Sequence, residues 1–466
     1  MRSDYHRQQP TFEDGALLGP LSPVAESFWH LSHLMNTQSA ELLTVRGRID
    51  EERLSGAISV VCARHPLTTA RLERRGLRRP VWRASSAQSP PLQCASIPEG
   101  TTGFKLEVGR WSGPLPEVLR AYVWAGRPID PQREPPVRFV LLWEGGLSHL
   151  MIIAPHLCTD AHAGATLLSE LLEVYGGREP TPAPSFSRVD PLSLSALPLK
   201  RRARLIASAL TRLLKDIISS GEGVSEVIGG RARGQTLLTV SPRDPTELRR
   251  ALQVAKRAGL TAHLLFTRAL INRERARRVT PNLTLRLADL IALVPLLPKS
   301  RQEELSSRFD VLVLPHMVNH DLSASLERYA DDFRSALRQL REGEALAELY
   351  RLRFYNFLAR LLPLKRVSGL LFRFVLKTTT TTTNPGPVRA PLERCGAHEV
   401  LDFINFPQLS PPARLGVIYT TFRGRLRLLI LHDEAYMSHE DAARFADELW
   451  SEVLHLTATL DAQASA

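Results

Sequence analysis

Between Val137 and Gly177 the hydrophobic period changes from that of strands to that of a helix, and the change falls on a loop holding a histidine and an aspartate. Val137 to Trp143 and Leu147 to Ala154 read as strands of a hairpin turning at Glu144-Gly145-Gly146. Pro155 has no amide hydrogen to donate, so it stops the pairing. A helix starts at Asp160 or just after it. Its apolar stripe is Leu167, Leu168, Leu171, Leu172 and Tyr175, and Gly176-Gly177 closes it. His156 therefore stands in a connection between two scaffolded elements, where catalytic groups concentrate.

An imidazole with an ordinary pKa of about 6.5 can take a proton from an alcohol or amine near neutral pH. On that reading His156 is a general base and Asp160 fixes its surroundings. The competing reading makes His156 a polar strand end and Asp160 an N-cap for backbone amides.

The segment Pro155-His156-Leu157-Cys158-Thr159-Asp160-Ala161 resembles the HHxxxDG signature of the CoA-dependent acyltransferase superfamily. That superfamily includes nonribosomal-peptide condensation domains, polyketide-associated acyltransferases and bacterial wax ester synthase/diacylglycerol acyltransferases. The family's catalytic second histidine falls on His156 and its aspartate on Asp160; Pro155 replaces the first histidine and Ala161 the glycine. Three further segments fall in the family's order. Leu54 to Leu72 resembles its early helix, "RHP" turn and strand, with Asp50 as cap and Leu54, Ala57, Ile58 and Val61 as the buried face. Thr383-Asn384-Pro385-Gly386-Pro387, with a strand-like run through Phe406, resembles the SNVPGP region of the wax ester synthase branch. Val417 to Leu431 reads as a hairpin turning at Arg423-Gly424, followed by a last helix from about Ser438 to Leu456.

The resemblance implies an α/β (α+β) architecture of two chloramphenicol-acetyltransferase-like lobes. Each is a mixed, largely antiparallel sheet with flanking helices, and the active-site channel runs between them. We place the N-terminal lobe at residues 1–185, a crossover linker with a basic amphipathic helix at 186–235, and the C-terminal lobe at 236–466. A chain of 466 residues with 44% hydrophobic content is long enough for two cores.

The resemblance further implies transfer of an acyl group from acyl-CoA or an acyl-carrier protein to a hydroxyl or amine acceptor, lipid or secondary metabolite. The donor's phosphopantetheinyl group is substrate, no cofactor is bound, and one chain suffices as a monomer. His156 is then the base, and oxyanion or channel groups are sought at Thr383 and Asn384. In the family the aspartate that matches Asp160 forms a structural ion pair with an arginine of the other lobe; here Lys299 occupies the arginine position that the resemblance implies, with Arg301 two residues on. Lysine cannot form the bidentate fork of arginine. Two other functions stay open: a stand-alone condensation enzyme acting on carrier-bound substrates, and a catalytically silent carrier-binding scaffold.

The remaining residues narrow the reading. Cys62, Cys94, Cys158 and Cys395 are scattered without ligand spacing, which implies a reduced, intracellular protein without structural zinc; Cys158 reads as a small packing residue. His65 reads as helix-terminal and His162 as a surface residue. His316 and His320 flank an apolar strand, Val311 to Leu314, at i, i+4 spacing, but Pro315 and the lack of carboxylate ligands argue against a metal. The polar Met1 to Pro10 is unlike a signal peptide, and no run of about 18 apolar residues suggests a span, so the expected location is cytoplasmic.

A formal charge of +12 favours anionic partners, and no nucleic-acid motif is visible. Basic and apolar residues mix in Lys200 to Ile217 and in Leu352 to Lys377. Such helices either lie peripherally on an anionic membrane or pack on the sheets with basic faces in water. Thr378 to Thr383 reads as a strand leading into a Pro385-Gly386-Pro387 turn, or as a low-complexity loop.

Overall fold

The computed structural model describes residues 13–33, 35–74, 76–85, 90–179, 198–218, 236–277, 284–292, 313–340, 345–361, 380–387, 392–407, 409 and 413–465. Lys299, Arg301, Thr378 and Thr379 lie outside these residues, as do most of the linker expected at 186–235 and the second half of the Leu352–Lys377 region.

The N-terminal part runs β1 (Leu17–Pro20), α1 (Pro23–Ser32), β2 (Gln38–Arg46), α2 (Glu51–Arg64), β3 (Arg71–Glu73), β4 (Val81–Arg83), β5 (Leu92–Ile97), β6 (Gly113–Pro114), α3 (Glu117–Arg120), β7 (Arg138–Glu144), β8 (Leu147–Pro155) and α4 (Ala161–Tyr175). After α5 (Leu199–Ile218) come β9 (Thr236–Pro242), α6 (Pro245–Arg257), α7 (Ala262–Arg277), β10 (Thr284–Ala292), β11 (Val313–Asp321), α8 (Leu326–Gln339) and α9 (Ala345–Leu361). The chain ends with β12 (Thr380–Pro387), β13 (Arg394–Cys395), β14 (His398–Phe406), β15 (Leu415–Phe422), β16 (Arg425–Asp433) and α10 (His439–Ser465).

The sequence signals for local structure act as expected at several places. Asp50 caps α2 by accepting from Arg53 N, and Leu54, Ala57, Ile58 and Val61 are its buried face. The second hairpin turns on Arg423 and Gly424, both with positive φ (49° and 71°), the backbone that a two-residue hairpin loop needs. Elsewhere the boundaries move. The histidine-flanked strand spans Val313–Asp321, so His316 and His320 lie within it. Pro385-Gly386-Pro387 is not a turn but the end of β12, which continues past a register irregularity between Thr383 and Gly386.

A six-stranded sheet has the order β13-β14-β2-β8-β7-β5, and a seven-stranded sheet the order β11-β10-β12-β15-β16-β9-β6; β1-β4-β3 form a small third sheet. Alternation along β8 explains why the whole strand is buried. Leu150, Ile152 and Ala154 join the core shared with α2 and α4, while Met151 and Ile153 join the core shared with Leu238, Leu429 and Leu431 of the seven-stranded sheet. A third core covers the outer face of that sheet with α6, α7 and α10.

Three strands cross between the halves, β13 and β14 in one direction and β6 in the other. β14 follows most of the seven-stranded sheet's strands in the chain yet pairs antiparallel with β2, and β6 of the N-terminal part pairs with β9. The crossing is pinned by a buried ion pair: Arg427 on β16 reaches Asp402 on β14, whose carboxylate also accepts from Trp111 N (2.7 Å) and Phe403 N (2.9 Å). Burial pushes the Asp402 carboxyl up against the pull of Arg427. Removing one partner would leave the other charge stranded between the sheets, so Arg427→Met is expected to lower stability by roughly 3–5 kcal/mol in chemical denaturation.

Candidate active site

β8 is held on one side by β7 and on the other by β2, with Pro155 opposite Gln38 as the last paired residue. The pairing thus runs through Pro155 and ends there. His156 N then donates to Thr37 O (2.9 Å), and Cys158 N turns back to Pro155 O (3.0 Å). Cys158 is buried, with its thiol also on the Pro155 carbonyl. The backbone of His156 is therefore fixed by a rigid strand before it and a tight turn after it.

The ring of His156 is oriented from two directions. Its Nδ1 lies 2.7 Å from the Thr159 carbonyl oxygen. A carbonyl can only accept, so Nδ1 carries the hydrogen in the neutral ring and Nε2 keeps its lone pair. Phe28 of α1 packs on the ring with a centroid separation of 4.3 Å and an interplanar angle of 34°. Burial pushes the imidazole pKa down, against the opposing pull of the Thr159 carbonyl and Asp160. The ring is consequently unprotonated, and able to accept a proton, over a wider range below neutral pH.

Asp160 caps α4, accepting from His162 N and Ala163 N, each at 3.0 Å. It also lies close enough to His156 and Glu41 to act on their charges. The capping role and the proximity to the histidine thus coexist in one residue. The segment expected to supply its cationic partner, with Lys299 and Arg301, falls outside the described residues. His162 is exposed on the first turn of α4, and His65 ends α2 with Nε2 3.1 Å from Glu170 Oε2.

Thr383 and Asn384 stand on β12, in the other sheet from His156. The Thr383 hydroxyl donates to Leu290 O at 3.2 Å. One residue earlier, the Thr382 hydroxyl donates to the fully buried Asp289 of β10, which also faces His263. Burial works to raise the Asp289 carboxyl, but His263, His320 and Thr382 outweigh it and hold it down at about 2. β12 is thereby fastened to β10 by side chains as well as by backbone.

A group the motif does not announce lies beneath α4. Glu41 of β2 is fully buried and accepts from Asn405 Nδ2 of β14 at 2.7 Å; its Oε2 has no hydrogen-bond partner among the described residues. It presses on Gly164 so closely that a Cβ there would overlap the Glu41 carboxyl group. Burial above all, with a smaller push from Asp160, raises its pKa to about 8 against the Asn405 hydrogen bond. The available sequence signals were a lone acid inside an apolar strand, Ala40 to Val45, and a glycine within a helix.

No family model and no curated protein matches the sequence. Solved structures do match its fold. Trichothecene 15-O-acetyltransferase from Fusarium sporotrichioides aligns with a TM-score of 0.70 at 12% identity, over 93% of this chain and 94% of that one. The epimerization domain from the third module of tyrocidine synthetase B aligns at 0.69 and 13%, over 97% and 99% of the two chains. The starter condensation domain of rhizomide synthetase, in complex with C8-CoA and Leu-SNAC, aligns at 0.64 and 14%, over 95% and 94%. The chain has the two-lobed fold of these proteins. It is the chloramphenicol-acetyltransferase-like architecture that the motif order implied, covered along nearly its whole length.

Proposed function

We propose that the protein is an acyltransferase that moves an acyl group from acyl-CoA or an acyl-carrier protein to a hydroxyl or amine acceptor, with His156 as general base. The observation that carries this reading is the Nδ1–H of His156 held by the Thr159 carbonyl, which commits Nε2 to accepting a proton. The acceptor's proton passes to Nε2 as its oxygen or nitrogen attacks the thioester carbonyl. The tetrahedral oxyanion then collapses, the C–S bond breaks, and the departing thiolate takes the proton back from the imidazolium. An acyl thioester is already activated, so no covalent enzyme intermediate is needed.

In this proposal Asp160 and Glu41 hold the loop and the first turn of α4 in place without touching substrate. Because the Thr383 hydroxyl is engaged by Leu290 O, oxyanion stabilisation is assigned to the backbone of β12 and to Asn384. Lys299 and Arg301 are proposed as the cationic side of the Asp160 interaction.

The deciding experiment is thiol release from acyl-CoAs of graded chain length and from acyl-carrier protein, with and without alcohol and amine acceptors. Release that requires an acceptor supports the proposal and identifies the donor. Release from the carrier alone, with an amine acceptor, would favour the condensation reading. Failure of every donor would leave the silent scaffold. Among the described residues no helix is long and apolar enough to cross a membrane.

A further inference from the structure

Among the described residues, exposed large apolar side chains are not scattered. Of the twelve among the described residues, eight stand on two helices packed side by side, α5 and α9. On α5 they are Leu199, Ile206, Leu210, Leu214 and Ile218, with Leu199 and Ile218 81% and 79% exposed. Spacings of seven, four, four and four residues keep them in one stripe along a helix about 30 Å long. On α9 they are Phe354, Phe357 and Leu361, again one face. A patch of this extent on a single chain marks a surface made to be covered.

The charge around the stripe suits one kind of covering. α5 has six basic residues and one acidic residue, and Lys200 and Arg204, both exposed and one turn apart, border the apolar stripe. Aliphatic and phenyl groups edged by ammonium and guanidinium suit the boundary between acyl chains and anionic headgroups, where the apolar stripe enters the lipid and the cations meet phosphate.

The patch is also tied to the candidate active site. On α9, Asn356 donates to Pro23 O (2.7 Å) and accepts from Ser27 Oγ (3.0 Å), and Arg360 faces Glu26 at 3.3 Å. These three partners are on α1, the helix that places Phe28 against His156.

We propose that the face formed by α5 and α9 is a docking surface for an anionic lipid bilayer. If the acyl-transfer reading holds, on which this clause rests, the acceptor is a lipid-borne hydroxyl or amine drawn from that bilayer.

The test is cosedimentation of the full chain with vesicles of phosphatidylcholine alone or mixed with phosphatidylserine. Binding to the mixed vesicles is expected, weakening as salt rises. Leu214→Glu combined with Phe357→Ser should reduce it by about tenfold or more, and Lys200→Glu or Arg204→Glu by about fivefold each. Unchanged melting curves would show that the substitutions act at the surface. Absence of binding to the mixed vesicles, or equal binding by the double variant, overturns the proposal. So does a concentration-dependent dimer that the double variant dissociates without any vesicle binding, since the face would then belong to a second copy. Acceptor-dependent thiol release without vesicle binding removes the docking surface and leaves acyl transfer standing. Vesicle binding without thiol release does the reverse.

Discussion

His156→Ala is expected to slow acceptor-dependent thiol release by about 10²- to 10⁴-fold, the range for removal of a positioned general base. The effect should appear in kcat, because a general base acts on a proton that moves only as the acceptor attacks. Its neighbours determine how the remaining activity of the native protein varies with pH. Burial lowers the imidazole pKa, so the ascending acid limb of the pH profile should lie below the ordinary value of about 6.5. The limb should vanish in the variant. Near-native rates in His156→Ala would remove His156 as the base, and an acid limb at or above the ordinary value would contradict the environment assigned to it. His156 lies just beyond the last paired residue of β8, whose fold is set elsewhere, so the variant should melt close to the native protein.

Glu41→Gln is expected to change how stability depends on pH. In the folded protein burial raises the Glu41 pKa from 4.5 to about 8. The stability attached to this group is therefore fully present below about pH 4.5, declines as pH rises, and is lost by about pH 8. At about 1.4 kcal/mol per pH unit the difference is on the order of 5 kcal/mol. Glutamine retains an oxygen for Asn405 and cannot ionise. The variant should thus be the more stable protein at pH 8 and lose that advantage near pH 5, as read from urea denaturation across the interval. Parallel stability curves for the two proteins would show that Glu41 is not held protonated beneath α4.

These two residues differ in how readily the sequence reveals them. The placement of His156 between strand and helix was legible because its signal is local: a period-two apolar run, a proline, and a helix stripe opening on Asp160 all lie within one short segment. The caps at Asp50 and Asp160 and the hairpin turn at Arg423-Gly424 were legible for the same reason, since each depends on neighbours a few residues away. Glu41 was not, because what makes it unusual is brought from Asn405, 364 residues along the chain, and from a glycine on a helix that must first be laid on the sheet. The Asp402–Arg427 pair is hidden in the same way, although only 25 residues separate its members, because it forms only when β14 leaves its chain neighbours to pair with β2.

The basic amphipathic character of α5 was written in its sequence, but amphipathicity has two outcomes. A stripe buried against a sheet and a stripe left open to a membrane have the same period, and only the placement of neighbouring helices separates them. By itself, then, the sequence determined the local elements, the loop that presents His156, and the order of motifs implying a two-lobed fold, because short-range sterics and periodicity act within a few residues. The tertiary structure alone decided which strand crosses between sheets, which carboxyl is stripped of water, and which apolar face stays exposed, because burial is a property of what the rest of the chain brings alongside.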